Sequence, residues 1–168
     1  MTLAEILTGE LDHEMATTRK LLERVPEKAA GWKPHPKSMS MGELAQHIVN
    51  MVRYAEPTFA ADHLDFADPG TAKYNSPRFE TTAKLVEMFD RNLGIARNAI
   101  SGASDETLRG HWSLTAGPRK VFTMPRVAVV RGFIISHIIH HRGQLSVYLR
   151  MNDVPLPPIY GPTADEMT

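Results

Sequence analysis

A long segment with helical spacing, residues 125–151, contains three of the chain's eight histidines and limits the folds that the chain can adopt. His137 and His141 are four residues apart, so on a helix they project from one face about one turn apart. At about 100° per residue, Gln144 and Tyr148 fall on the same stripe, among apolar residues. This pattern predicts a bundle in which the stripe faces the interior.

Three more segments show the apolar spacing of helices, and each begins with residues that are typical of helix N-termini. Two of these starts are capping boxes, in which Ser or Thr is followed three residues later by Glu. The segments run from about Leu3 to Val25 (Thr2 with Glu5), from Ser40 to Pro57 (Ser40 with Glu43), and from Pro77, behind Ser76, to about Ile100. The four segments predict an all-α fold, a four-helix bundle that forms a single domain over residues 1–168.

The connections between the predicted helices are irregular. Gly117 and Pro118 stand at the centre of residues 112–122 and predict a loop or a short hairpin. Ser104 is placed to cap one short further turn of helix. Four prolines in residues 154–168 predict an extended C-terminal tail that lies over the bundle.

The face of the fourth helix opposite His137 carries small and apolar residues where a surface helix would carry charges. Its residues are Ala128, Gly132, Ile135, Ile139, Gly143 and Ser146. One interpretation is burial beneath the C-terminal tail. The other is contact with a second copy of the chain, because glycines allow two backbones to approach closely. We expect a homodimer on this basis.

Charge and cysteine content argue against several classes of function. Lys plus Arg equals Asp plus Glu at 19 each. A chain without net charge has no long-range field that attracts nucleic acid or an anionic membrane. The chain has no cysteine, which excludes disulfides and thiolate ligands and fits a cytoplasmic protein. We expect no signal peptide and no membrane span, since the most apolar stretch, residues 127–139, is interrupted by Arg131.

A third histidine, His47, lies on the apolar stripe of the second predicted helix. If this stripe faces His137 and His141, three imidazoles converge. A single histidine on an apolar face is usually a core residue, but burying three without partners would cost about 1–3 kcal/mol each. Metal coordination satisfies one nitrogen of each ring and leaves the other for a second partner. From spacing alone, a metal site and three packed histidines are both open.

The ligand type limits which ion such a site would hold. Three imidazoles without a thiolate suit a divalent transition metal such as Zn²⁺, Ni²⁺ or Fe²⁺, rather than Mg²⁺ or Ca²⁺. Three protein ligands leave positions for water or substrate, which is typical of catalytic sites. Such a metal lowers the pKa of a bound water or thiol. Because the chain lacks cysteine, any thiol would come from a cosubstrate.

The remaining aromatic and histidine residues are weaker candidates. His140 falls to one side of the stripe. The other four histidines, His13, His35, His63 and His111, are expected to be structural or exposed. Trp32 and Trp112 lie in predicted loops, where they either line a pocket or pack in the interior.

Three segments resemble the DinB-like four-helix-bundle family, which includes the YfiT-type metal-dependent enzymes. They are WKPHPKSMS followed by GELAQHI in residues 32–48, HIIHHRGQL continued by YLR in residues 137–150, and PIYGP in residues 158–162. The resemblance implies a four-helix bundle, commonly dimeric, with a divalent metal held by three histidines. By motif position these are His47, His137 and His141.

The family resemblance also directs the functional expectation, because the superfamily includes thiol-dependent S-transferases and a thiol-dependent isomerase. We expect a metal-dependent enzyme, a thiol S-transferase or a hydrolase, that acts on a small molecule with a low-molecular-weight thiol or water. Gln144 and Tyr148 either orient the ligand or substrate or only pack. The alternative is a non-catalytic, metal-binding stress-response or structural protein, in which the metal holds the bundle together.

Overall fold

Seven α-helices and three short strands make up the part of the chain that the structure, a computed structural model, describes: residues 1–74 and 78–166. The helices are α1 (Leu3–Leu22), α2 (Met41–Arg53), α3 (Ala55–Ala60), α4 (Thr82–Ser101), α5 (Asp105–Arg109), α6 (Arg126–Ala128) and α7 (His137–Arg150). The strands are β1 (His63–Asp65), β2 (His111–Ala116) and β3 (Arg119–Pro125). A π-helix, Val129–Ser136, joins α6 to α7, and 3₁₀ turns lie at Glu27–Ala29, Pro69–Tyr74 and Ala164–Glu166.

The four long helices form the predicted bundle, in which α1 and α2 each pack between α4 and α7. Their apolar stripes meet in one continuous core. On α2, for example, Leu44, Ile48 and Val52 are fully buried, and burial of such a side chain stabilises the fold by about 1.5–3 kcal/mol. No helix within the described residues combines the length and the apolar character needed to cross a bilayer.

Both predicted capping boxes are confirmed. The hydroxyl of Thr2 accepts a hydrogen bond from the backbone N–H of Glu5 at 3.1 Å, and the Glu5 carboxylate accepts one from the N–H of Thr2 at 2.7 Å. Ser40 and Glu43 make the same reciprocal pair at 3.2 Å and 2.7 Å. The second box determines where α2 begins and therefore the direction in which His47 projects.

Two predicted helix ends differ from those in the structure. α1 ends at Leu22, three residues before the predicted Val25. α2 ends at Arg53, and α3 begins two residues later with Pro57 in its first turn. A proline is tolerated in a first turn because the N–H groups there have no partner within the helix. Pro57 was expected to kink or end the second helix; instead the helix breaks at Tyr54, and Pro57 lies in the first turn of the new helix.

The start of the third long helix also differs from the prediction. Ser76 and Pro77, which were predicted to begin it, lie outside the described residues. Helix α4 begins at Thr82, and the hydroxyl of its N-cap residue, Thr81, accepts from the N–H of Lys84 at 3.2 Å. The short helix α5 follows the predicted cap Ser104.

A three-stranded sheet corrects the all-α prediction. β1 lies parallel to β2, and β2 pairs antiparallel with β3. β2 and β3 form a hairpin, which is one of the two alternatives predicted for residues 112–122. Gly117 lies in its turn with a φ of 59°, a backbone conformation that favours glycine. Trp112 is fully buried, and its Nε1–H donates to the carbonyl of Pro57 at 3.2 Å. The sheet thus packs against α3, at one end of the bundle.

The predicted fourth helix is helical from Arg126 to Arg150, but its first part is mostly the π-helix. This wider winding changes which residues face inward. Ile135, which was assigned to the outer face, is fully buried in the core. Gly132 and Gly143 remain exposed, and apart from the adjacent backbone of their own helix no atom lies within 4 Å of where a Cβ would be. The tail therefore does not cover these two glycines.

A buried ion pair holds the irregular C-terminal tail against the bundle. Arg142 on α7 is 1% exposed and pairs with the carboxylate of Glu14 on α1 at 2.7 Å. The guanidinium also donates to the hydroxyl of Tyr160 at 2.6 Å, and that hydroxyl donates to Glu14 at 2.8 Å. One polar network therefore connects α1, α7 and the tail.

Candidate metal centre

Three histidines from two helices meet between α2 and α7. His47 projects from α2, and His137 and His141 project from successive turns of α7. The Nε2 atoms of His47 and His137 are 3.4 Å apart, and those of His137 and His141 are 2.8 Å apart. One ring nitrogen from each residue lies within 4.8 Å of the other two. The fold thus brings together the three residues that the sequence predicted as ligands.

Hydrogen bonds orient two of the three rings. The Nδ1–H of His141 donates to Oε1 of Gln144 at 2.7 Å, because an amide oxygen can only accept. His137 makes a hydrogen bond with the backbone of Phe133, which lies one turn earlier in the π-helix. With their protons on the outer nitrogens, both rings direct an Nε2 lone pair towards His47.

All three imidazoles are favoured in the neutral form near pH 7. Burial, together with the charges of His141 and His137, lowers the pKa of His47 to about 4. Burial also lowers the pKa of His137 and of His141, while the hydrogen bonds to Phe133 and Gln144 oppose this effect. Neutral imidazole is the form that binds metal ions.

The spacing of the ring nitrogens fits a metal ion held by three imidazoles. Bonds of about 2.0–2.1 Å at tetrahedral angles place ligand nitrogens about 3.3 Å apart, close to the 3.4 Å between His47 and His137. His137 and His141 are closer, at 2.8 Å. Two facing lone pairs at this distance need a proton or a cation between them. Since the hydrogen bonds assign both ring protons to the outer nitrogens, a cation suits this position.

The other histidines lie outside this group. His140 is exposed; its ring centroid is 4.9 Å from that of His141, but its nitrogens do not belong to the cluster of three. The remaining four, His13, His35, His63 and His111, are exposed. Their positions agree with the prediction that they are structural or exposed.

The two tryptophans and Tyr148 have packing contacts. Trp112 is fully buried beneath the sheet. Trp32 meets Tyr148 edge to face, with ring centroids 5.4 Å apart and ring planes inclined at 78°. Tyr148 therefore joins α7 to the loop before α2, whereas Gln144 contacts a candidate ligand directly.

A cavity of about 760 Å³ opens beside His47. Gly42, in the first turn of α2, allows Phe79 to approach, since a Cβ at Gly42 would be 3.1 Å from the Cβ of Phe79. Phe79 precedes α4 and forms a wall of the cavity. The other lining residues are Ala30, Gly31, Met39, Ser40, Glu43, Gln46 and Arg78.

The sequence did not indicate that Gln46 and Arg78 line a cavity. Gln46 immediately precedes His47 on a capped helix, which is a signal that it lies near the site. Arg78 falls within the predicted third helix, but in the structure it precedes α4 and reaches the cavity through the path of the chain before that helix.

Comparison with known sequences identifies the family. The sequence profile of the DinB superfamily matches residues 10–145. The chain is also 24% identical over 163 residues to YrdA, an uncharacterized protein of Bacillus subtilis (strain 168), and the match covers 92% of this chain and 86% of YrdA.

Solved structures share the fold. A DinB-like protein from Bacillus cereus superposes with a TM-score of 0.70 at 20% identity, covering 93% of this chain and 97% of that chain. The DinB-like protein YjoA from Bacillus subtilis gives a TM-score of 0.65 at 23% identity, covering 91% of this chain and 96% of that chain. The profile match extends from α1 through the histidine motif of α7 and includes all three candidate ligands. The chain therefore belongs to the DinB superfamily.

Proposed function

We propose that this protein is a metal-dependent enzyme, with His47, His137 and His141 as the ligands of one divalent transition metal. The observation that carries the proposal is the convergence of three ring nitrogens within 4.8 Å at the edge of a cavity. Zn²⁺, Ni²⁺ and Fe²⁺ suit an all-imidazole set. When bound, such a metal supplies Lewis-acid activation, which lowers the pKa of a bound water or thiol.

The surrounding residues support this chemistry by holding the ligands in place. Oε1 of Gln144 accepts a hydrogen bond from the Nδ1–H of His141, which keeps the Nε2 of that ring free of a proton. The backbone of Phe133 does the same for His137. The rings of His137 and His141 are thereby oriented before a metal ion binds, which reduces the free-energy cost of assembling the site.

In the proposed reaction, the sulfur of a small thiol, or the oxygen of water, attacks an electrophilic carbon of a small molecule. The new S–C or O–C bond replaces the bond to a leaving group, which departs with the proton of the thiol or water. The chain contains no cysteine, so a thiol enters as a cosubstrate. The cavity beside His47 is of the size that accommodates a small organic ligand, since such pockets measure about 300–1,000 Å³. Thiol S-transferase and hydrolase activity both fit this arrangement.

The proposal is tested by incubating metal-loaded, untagged protein with a panel of small thiols and an electrophilic reporter. We expect a metal-dependent rate that is lost in His47→Ala and kept in His140→Ala, which removes the neighbouring exposed histidine. A rate that is the same in both variants would contradict the proposal. Omitting the thiol separates transferase from hydrolase activity.

A second candidate is a non-catalytic protein in which the metal joins two helices. This alternative has one specific observation in its favour, because the three histidines bridge α2 and α7. Chelation discriminates between the two candidates. If removing the metal unfolds the domain and no thiol or electrophile perturbs the metal, the structural role is favoured over catalysis.

A further inference from the structure

The cavity beside His47 contains two ionisable groups with opposite charges, Glu43 and Arg78. The Glu43 carboxylate is already satisfied. It accepts from the backbone N–H of Ser40 at 2.7 Å and pairs with Lys33 at 3.5 Å. These contacts lower the pKa of the Glu43 carboxyl and favour its ionised form. They also occupy the carboxylate with protein partners. Glu43 is therefore a poor partner for a cationic ligand.

Arg78 differs from Glu43 because no hydrogen bond or ion pair joins it to another residue of the described ranges 1–74 and 78–166. Its guanidinium is exposed, lines the same cavity and carries a permanent positive charge. A planar guanidinium matches the geometry of a carboxylate and binds it with two parallel hydrogen bonds. The cavity thus offers one cation without a protein counterion.

Gln46 provides a neutral polar group in the same cavity. Its side chain is 4% exposed, and its amide nitrogen donates to Oδ1 of Asn50 at 3.3 Å and contacts Sδ of Met88 at 3.3 Å. These two contacts engage the amide nitrogen. The amide oxygen has no hydrogen-bond partner among the described residues, so it is available to an N–H or O–H group of a ligand.

We propose that this cavity binds a small organic carboxylate whose anionic end pairs with Arg78 and whose N–H or O–H group donates to Gln46. Phe79 and Met39 supply apolar contacts for the remainder of the ligand. The inference rests on the proposed function, because it names the substrate class for the cavity that borders the candidate metal centre.

Metal-free protein that contains the whole 168-residue chain provides the test, so that the result does not depend on metal binding. The probes are hippurate, which has a carboxylate and an N–H, and its neutral amide, hippuramide, titrated at low ionic strength by calorimetry or NMR. We expect hippurate to bind about tenfold more tightly than hippuramide. Arg78→Gln removes this preference. Lys33→Gln, which deletes an equal charge at a residue paired with Glu43, keeps it.

A third probe, 4-phenylbutanoate, isolates the contribution of Gln46, since it has a carboxylate at a similar distance from the ring but no N–H. Hippurate should bind several-fold more tightly than 4-phenylbutanoate, and Gln46→Met should abolish this difference while the fold is kept, as judged by circular dichroism.

Equal affinity for hippurate and hippuramide, no binding of hippurate at about 10 mM, or a preference that survives in Arg78→Gln would overturn the carboxylate assignment. If the protein prefers hippurate to hippuramide but is found to bind no metal, the carboxylate assignment stands and the proposed function is contradicted. The two claims are therefore tested separately.

Discussion

At the scale of single residues, side-chain direction on a helix was the most reliable signal. The spacing of His137 and His141 on one stripe, with His140 to the side, predicted their relative positions in the structure. Gln144 and Tyr148 lie on the same stripe, so the sequence pattern could not assign them different roles. Their roles separate only in three dimensions, because Gln144 bonds to His141 while Tyr148 reaches the loop at Trp32.

Substitution of Gln144 and of Tyr148 tests this distinction. Gln144→Leu removes the acceptor that keeps His141 in the metal-binding tautomer, so we expect metal affinity to fall about 10–100-fold. Tyr148→Phe keeps the ring contact with Trp32 and should leave affinity nearly unchanged. Competition titration against a chromophoric chelator measures both values. Equal losses in the two variants would contradict the separate roles.

The lowered pKa of His47 predicts an acid sensitivity of the metal-free protein. Its pKa is about 4 in the folded chain and near the ordinary 6.5 when unfolded. Between these pH values the unfolded state binds more protons, so the free energy of unfolding falls as pH is lowered from 6.5 towards 4. Because the ring is partly solvated, we expect a loss of about 1 kcal/mol.

Urea unfolding at a series of pH values measures this dependence. His47→Gln lacks this imidazole but retains His137 and His141, so its stability should change less with pH than that of the unsubstituted protein. An unchanged pH dependence in the variant would show that other groups are responsible.

At the scale of elements, local signals succeeded and long-range pairings were missed. The caps at Thr2 and Ser40 are contained within four residues of sequence, and both formed as predicted. β1 has only three residues, too few to show a strand pattern. It forms because β2, which is distant in sequence, pairs with it. The pair of Arg142 with Glu14 joins residues 128 positions apart, and no local pattern marks it.

Replacing the buried Arg142 tests how strongly its network holds α1, α7 and the tail together. Arg142→Leu leaves the Glu14 carboxylate buried without its counterion, so we expect the free energy of unfolding to fall by about 3–5 kcal/mol. Arg150→Leu is the matched control, because Arg150 is exposed and its pair with Asp165 contributes at most about 1 kcal/mol. Chemical denaturation of both variants gives the comparison; similar losses would contradict the assignment.

At the scale of the whole molecule, the long helices and the bundle architecture followed from periodicity, whereas the short helices α3 and α6 and the sheet did not. The apolar stripes of four helices require a common core, so their periodicity sufficed to predict the bundle. The π-helix altered the predicted outer face of the last helical segment, because residues such as Ile135 turned inward. The cavity likewise depends on how residues 78–79 approach Gly42, which periodicity does not encode.

The exposed side of α7 leads us to propose a homodimer. Gly143 has open space around it, and Val147, one turn later, is 56% exposed. An apolar side chain beside a glycine suits close packing against a second copy. We expect sedimentation to give a species of twice 18.7 kDa, and Val147→Glu to shift it towards monomer. A single 18.7 kDa species at micromolar concentration would contradict the proposed dimer.

Elemental analysis of untagged protein tests whether His47, His137 and His141 hold one transition metal. We expect about one equivalent of metal per chain in the unsubstituted protein and in His140→Ala. We expect little metal in a His47→Ala variant that retains its helical circular dichroism. A metal-free unsubstituted protein after loading with Zn²⁺, Ni²⁺ and Fe²⁺, or equal metal content in all three proteins, would contradict this assignment.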